Sequence, residues 1–122
     1  MITKKNLLAV LLLGFFSFFV ANYALAEAGI PSAAENRERL NAGIEHTEAA
    51  LKAAKQGDAS GTAEHAAAAY AEVIEINSEQ WGPKIQGAIG KIRIAGLKAK
   101  KGDTEKAAEL LELALAKLKQ IN

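Results

Sequence analysis

The chain has 122 residues, 15 basic and 14 acidic side chains and a formal charge of +1. This length is enough for one small domain with a single hydrophobic core. Because the sequence contains no cysteine, it excludes a disulfide framework, a lipid anchor on cysteine and a haem attached through a C-x-x-C-H motif.

Residues 1–26 are typical of a signal peptide. Two lysines precede an apolar run from Leu7 to Ala21, and Ala24-Leu25-Ala26 provides the small-x-small pattern of a cleavage site. The run is short for a membrane span. We therefore expect cleavage after Ala26, a mature domain over residues 27–122, and a periplasmic or secreted protein. The alternative is an uncleaved N-terminal anchor.

Export would have further consequences for the mature chain. Cleavage removes Met1, the only methionine, and so excludes a haem held by histidine and methionine. An exported protein is also kept away from chromosomal DNA, and its lysines are not interleaved with aromatic residues. We expect neither a nucleic-acid partner nor stable membrane insertion after cleavage.

Two helices are predicted for the first half of the mature chain. Ser32-Ala-Ala-Glu35 forms a capping box, and Gly57 suits the left-handed position that ends a helix. The apolar stripe of the first helix is Leu40, Ile44, Thr47, Leu51 and Ala54. Asp58 or Ser60 can cap the second helix, which we expect to reach about Ile76. Its predicted buried residues are Ala63, Ala66, Ala67, Tyr70, Val73 and Ile74.

Two further helices follow a break at residues 77–82. Gly82 and Pro83 are predicted as N-cap and first helical residue, and Gly102-Asp103 repeats the earlier turn. The stripe of helix three is Ile85, Ala88, Ile89, Ile92 and Ala95. The stripe of helix four is Leu111, Ala114, Leu115, Leu118 and Ile121, broadened by Leu110 and Leu113. Trp81 either covers one end of the domain or stands half exposed in the connection.

The two halves resemble each other. Leu51–Val73 aligns with Leu97–Leu118 if one residue is deleted before the turn, and the two Gly-Asp turns then coincide. A single hairpin would leave its apolar stripe in water, so two hairpins are expected to pack together. The predicted fold is all-α: an antiparallel up-down-up-down four-helix bundle of two duplicated hairpins, at about residues 33–77 and 83–121.

Charge is distributed unevenly between these halves. Residues 27–79 contain 10 acidic and 4 basic side chains, whereas residues 80–122 contain 4 acidic and 9 basic ones. Opposite charge favours docking of the halves, although screened surface pairs contribute little individually. The alternative is that the lysine-rich helices are simply solvated.

The stretches EHTEAALKAAKQGD (45–58) and AEHAAAAYAEV (63–73) resemble the small metal-binding proteins, which are exported, histidine-rich four-helix bundles of bacteria. The leader, the Gly-Asp turns and the duplication agree with this resemblance over the whole mature chain. It implies binding of divalent metal ions such as copper. His46 and His65 stand where the family places histidines, and Ala53, Asp58 and Glu72 occupy places where it often has one.

The spacing of the two histidines sets the geometry of a possible site. Neither has a ligand three or four residues away on its own helix, so a second ligand must come from the facing helix. Antiparallel pairing around the first turn predicts His46 with Glu72, completed by water, while His65 faces alanines. Imidazole and carboxylate suit copper(II), zinc or nickel. His46 and His65 are the primary candidates. The lesser candidates are Glu45, Asp58, Glu64 and Glu72.

Other interpretations of these residues remain open. His46 fits a solvated surface side chain, Asp58 fits a helix cap, and the glutamates fit the polar face of a helix. Catalytic patterns are missing from the sequence, including H-E-x-x-H and the Glu-x-x-His pairs of di-iron bundles. We predict an exported, non-enzymatic protein that weakly binds or buffers copper, zinc or nickel. The alternative is a helical bundle for structure or protein interaction without a physiological metal.

Overall fold

Four α-helices account for most of residues 32–121, the part of the chain that the computed structural model describes. Their bounds are α1 (Ala33–Lys55), α2 (Ala59–Val73), α3 (Gly82–Lys100) and α4 (Thr104–Lys119). No helix among them is long and apolar enough to cross a membrane. The expected signal peptide and its cleavage site lie outside the described residues.

The helices form a closed ring in which each packs against two neighbours. In chain order each packs on the next, and α4 returns to contact α1. Arg39 near the start of α1 meets Glu72 at the end of α2, and Lys84 near the start of α3 reaches the carbonyl of Gln120 after α4. Both contacts require antiparallel neighbours. The predicted all-α, up-down-up-down four-helix bundle is confirmed.

Both hairpin turns have the same local structure. Gly57 and Gly102 adopt positive φ angles of 75° and 84°, where a side chain would be strained. The next residue in each turn, Asp58 or Asp103, donates its backbone N–H to a carbonyl five residues earlier, at 2.9 Å in both cases. This is the Schellman arrangement. The same aspartates cap the following helices, because their Oδ1 atoms accept the N–H groups of Gly61 and Lys106 at 2.9 and 3.0 Å.

The two hairpins repeat at a constant spacing of 45 residues, the separation of Gly57 from Gly102. Buried positions in α1 and α2 include Leu40, Gly43, Thr47, Ala50, Ala54, Thr62, Ala66, Ala69 and Val73. Their counterparts in α3 and α4 are also buried: Ile85, Ala88, Ile92, Ala95, Ala99, Ala107, Leu111, Ala114 and Leu118. The predicted one-residue deletion is therefore wrong. It aligned residues of the same type, such as Leu51 with Leu97, whereas the buried positions of α1 and α3 align at 45 residues without a gap.

Side chains at equivalent buried positions of the two hairpins differ in size. At equivalent positions the second hairpin has Ile92 and Leu111 where the first has Thr47 and Ala66, and all four are at most 1% exposed. The Thr47 hydroxyl is satisfied within its helix by donating to the carbonyl of Gly43 at 2.7 Å. Hydrophobic stabilisation scales with the apolar area removed from water. The second hairpin therefore contributes more of the stability of the bundle.

Helix α2 ends earlier than the sequence predicts. Its last residue is Val73, and Ile74, predicted to be buried, is 47% exposed. The chain beyond it is held by Asn36, whose side-chain amide donates to the carbonyl of Asn77 at 2.9 Å and whose Oδ1 accepts the N–H of Asn77 at 3.3 Å. Ala67, also predicted to be buried, is exposed, and Ala69 takes its place in the core. The predicted stripe was rotated slightly around the helix.

Trp81 covers one end of the bundle. It is 9% exposed and belongs to the hydrophobic core, and the guanidinium of Arg37 lies 5.6 Å from its ring centre. Of the two alternatives that the sequence left open, the covering role is therefore the observed one. Trp81 is also the N-cap of α3, so the predicted cap at Gly82 is displaced by one residue.

The second turn provides a direct stability test. Replacing Gly102 by alanine should lower the free energy of unfolding by about 1–2 kcal/mol, because a side chain disfavours the left-handed conformation. Gly90 is a matched control inside α3, where an added Cβ meets nothing within 4 Å. Gly90→Ala should raise stability by up to about 1 kcal/mol through helix propensity. Urea denaturation followed by circular dichroism measures the free energy of unfolding of both variants. Equal changes in the same direction would contradict the left-handed conformation assigned to Gly102.

Candidate metal centre

His46 on α1 and His65 on α2 face each other across the first hairpin. Their ring centroids are 6.2 Å apart and the ring planes differ by 28°. Both side chains are half-buried. Centroid separations of about 4.5–7 Å are usual for interacting aromatic rings, so the two imidazoles are direct neighbours. The structure thus brings together the only two histidines of the sequence.

The pair lies on a surface that we call the outer seam, the solvent-facing side of the contact between α1 and α2. Its half-buried residues are Arg39, Ala42, His46 and Ala49 on α1, and Gly61, His65, Ala68 and Glu72 on α2. Spacings of three or four residues keep each set on one side of its helix. Alanine and glycine therefore occupy the turns adjacent to each histidine.

The separation of the rings is compatible with a shared metal ion. A metal–nitrogen bond is about 2.0–2.1 Å long, so two nitrogens on one ion lie about 3–4 Å apart. The ring centres of two such ligands are then separated by about 4.5–6.3 Å, depending on the bond angle at the metal. The observed 6.2 Å is near the upper end of this range. For the two rings to share an ion, one nitrogen of each would have to point at it.

Glu72 is placed elsewhere than the sequence analysis expected. Its carboxylate lies 3.8 Å from a guanidinium nitrogen of Arg39, and His46 has His65 opposite it. The predicted pairing of His46 with Glu72 therefore does not occur in the structure. The estimate from the turn set Ala69 opposite His46, one helical turn away from the observed His65, and Glu72 lies one turn further along α2.

The remaining candidates lie outside the pair of rings. Asp58 accepts the N–H of Gly61 as the cap of α2, which matches the alternative role given to it above. Glu45 and Glu64 are exposed and each adjoins a histidine in sequence, so each is turned about 100° from it around the helix. Within residues 32–121 no group of three or more histidine, cysteine or acidic residues is arranged to hold a metal. The described chain therefore brings two imidazoles together without a third residue of these types.

Sequence reasoning missed the contact between the histidines, although a signal for it was present. Arg39 precedes His46 by seven residues, and Glu72 follows His65 by seven. Seven residues are close to two helical turns, so the ion pair and the histidine pair must share one register. Matching the opposite charges first would have placed the imidazoles opposite each other.

Comparison with known proteins identifies the family of the chain. A family model described as "Small metal-binding protein" matches residues 4–121, almost the entire sequence. The chain belongs to this family. No curated protein matches the sequence. Membership in a metal-binding family thus accompanies the histidine pair, and the resemblance noted in the sequence is confirmed.

The second hairpin of this small metal-binding protein has no equivalent pair. The 45-residue repeat places Lys91 at the position of His46 and Leu110 at that of His65. Both are half-buried like the histidines. Neither side chain is an ordinary ligand for a transition metal at neutral pH. The histidine pair is therefore confined to the first hairpin.

Proposed function

We propose that the protein binds or buffers divalent copper, zinc or nickel ions through His46 and His65. The supporting observation is the approach of two imidazoles from facing helices to 6.2 Å between ring centres. Imidazole nitrogen suits all three metals, and a common nitrogen site generally prefers copper(II). Glu45, Asp58, Glu64 and Glu72 are at most secondary ligands in this proposal, because Asp58 and Glu72 already engage protein groups.

The number of ligands indicates how tightly the ion is held. A closed structural zinc site uses four protein ligands, whereas this pair provides two. Water completes the coordination shell and can exchange, so affinity is modest and release is fast. These properties suit buffering or transfer of an ion better than permanent storage.

We also propose that the protein acts outside the cytoplasm and is not an enzyme. The lysines, apolar run and small-x-small pattern of residues 1–26 support export.

An open groove between α1 and α4 has Leu51 and Leu115 among its lining residues. Two further lining residues, Glu48 and Lys119, pair with each other at 3.6 Å. The lack of catalytic patterns in the sequence, described above, supports a non-enzymatic role.

Calorimetric titration with copper(II), zinc and nickel tests the metal proposal. His46→Ala and His65→Ala should each weaken binding at least about tenfold, because each removes one of two protein ligands. Glu45→Gln and Glu64→Gln are matched controls that change a neighbouring side chain, and we expect less than about threefold change. Circular dichroism of each variant checks that the helices are retained.

Three outcomes would contradict the proposal. Binding no tighter than about millimolar would leave the structural or interaction role as the better explanation. Wild-type affinity in both histidine variants would show that any bound ion is held elsewhere on the chain. Stronger effects in the glutamate controls than in the histidine variants would move the site to the carboxylates.

A further inference from the structure

Helix α3 has an unusual distribution of charge. It contains no acidic residue, and its five basic residues are Lys84, Lys91, Arg93, Lys98 and Lys100. The ion pairs found among residues 32–121 involve Arg39, Lys55, Lys106 and Lys119, so none of them neutralises a residue of α3. The helix therefore presents uncompensated positive charge to solvent.

A strip of exposed apolar side chains runs along α3 between its basic residues. Ile94 is 38% and Leu97 47% exposed, on the side of α3 opposite its buried residues. At 100° per residue, one border of this strip is formed by Lys91 and Lys98. The other border is formed by Arg93 and Lys100. We call these six residues the α3 face.

Other exposed apolar residues lack such borders. Leu113 on α4 is 53% exposed, but Glu112 precedes it and Glu109 lies one turn away on the same side. Ile74, 47% exposed, is followed directly by Glu75. An apolar strip with basic residues on both sides is therefore particular to α3 among these positions.

We propose that the α3 face docks on the surface of an anionic phospholipid membrane. Basic residues are attracted to anionic headgroups, and apolar residues between them enter the boundary with the acyl chains. The long basic side chains can extend sideways to the headgroups while Ile94 and Leu97 point inward. This is peripheral binding, since no described helix could span a bilayer.

The shape and composition of the face favour lipid over other anionic partners. Single-stranded nucleic acid is usually held by aromatic side chains that stack on bases, and α3 contains no aromatic residue. A partner helix usually binds in a groove, whereas the face is the convex side of one helix. A membrane surface conforms to a convex face.

A fluorescent label can report contact at one position because the chain has no cysteine of its own. We would label Leu97→Cys in the full chain with an environment-sensitive dye and add vesicles of phosphatidylcholine with or without phosphatidylglycerol. The expected result is a blue shift with phosphatidylglycerol only, reversed by salt. Combining the label with Lys91→Gln, Arg93→Gln and Lys98→Gln should abolish the shift. Ile74→Cys is the control, as its exposure equals that of Leu97.

Several results would overturn the proposal. These are an unchanged spectrum at position 97 on anionic vesicles, an equal shift at position 74, and a shift that survives the three glutamine substitutions. An equal shift with soluble polyglutamate would identify a general polyanion site rather than a lipid site. Residues 1–31 are present in every sample, so adsorption through them is common to both labelled positions and is measured by the label at position 74.

Discussion

Replacing Leu111 by alanine is expected to lower the free energy of unfolding by about 2–5 kcal/mol. Leu111 is 0% exposed at the centre of α4, so truncation removes buried apolar area and leaves a cavity. Small domains have a total stability of about 5–15 kcal/mol, and this loss is therefore a large fraction of it. For a domain of this size, Tm should fall by roughly 10–30 °C.

Leu113→Ala is the matched control for Leu111→Ala. Both substitutions remove the same atoms from the same helix, but Leu113 is 53% exposed. We expect the control to change the free energy of unfolding by no more than about 0.5 kcal/mol. Thermal and urea denaturation compare the two variants. Equal losses would mean that the inner side of α4 has been misassigned.

A second metal site should form when Lys91 and Leu110 are both replaced by histidine. The 45-residue repeat places these residues where the first hairpin has His46 and His65, and all four side chains are half-buried. The backbone positions are equivalent because the two turns have the same hydrogen bonds and positive-φ glycines. The stoichiometry of copper(II) binding should rise from one to about two ions per chain.

The single substitutions provide the controls for the added pair. Lys91→His or Leu110→His alone adds one imidazole without a partner, and neither should add a site of comparable affinity. Placing the pair in a chain that also carries His46→Ala and His65→Ala should restore binding of one ion. Calorimetry with copper(II) measures all four proteins. Failure of the paired variant to bind, with its helices intact, would show that the seams of the two hairpins differ in geometry.

Much of the fold could be predicted because local signals in the sequence are strong. The Gly-Asp turns and the Ser32 cap act over a few residues, and all of them are observed. The apolar stripe of α3 was also correct at Ile85, Ala88, Ile92 and Ala95. Such features depend on backbone conformation and helical period, which a single segment determines.

The failures arose where distant segments decide the structure. The end of α2 depends on the bond between Asn36 and Asn77, two residues 41 positions apart. The pairing of His46 depends on the register of α1 against α2. An error of one turn sets Ala69 opposite it instead of His65 and brings Glu72 within one further turn. In an alanine-rich contact many registers bury similar area, so the apolar pattern alone did not select one. The ion pair of Arg39 and Glu72 provides the missing constraint.

Because the positions that fill the interior differ from those on the outer seams, the two sets can change independently. Substitution on a seam alters chemistry at the surface while the buried residues of the repeat stay the same. A lone histidine there has no partner, whereas two facing ones would share an ion under the function proposed above. Relatives with this architecture would gain or lose metal sites one facing histidine pair at a time, without a change of fold.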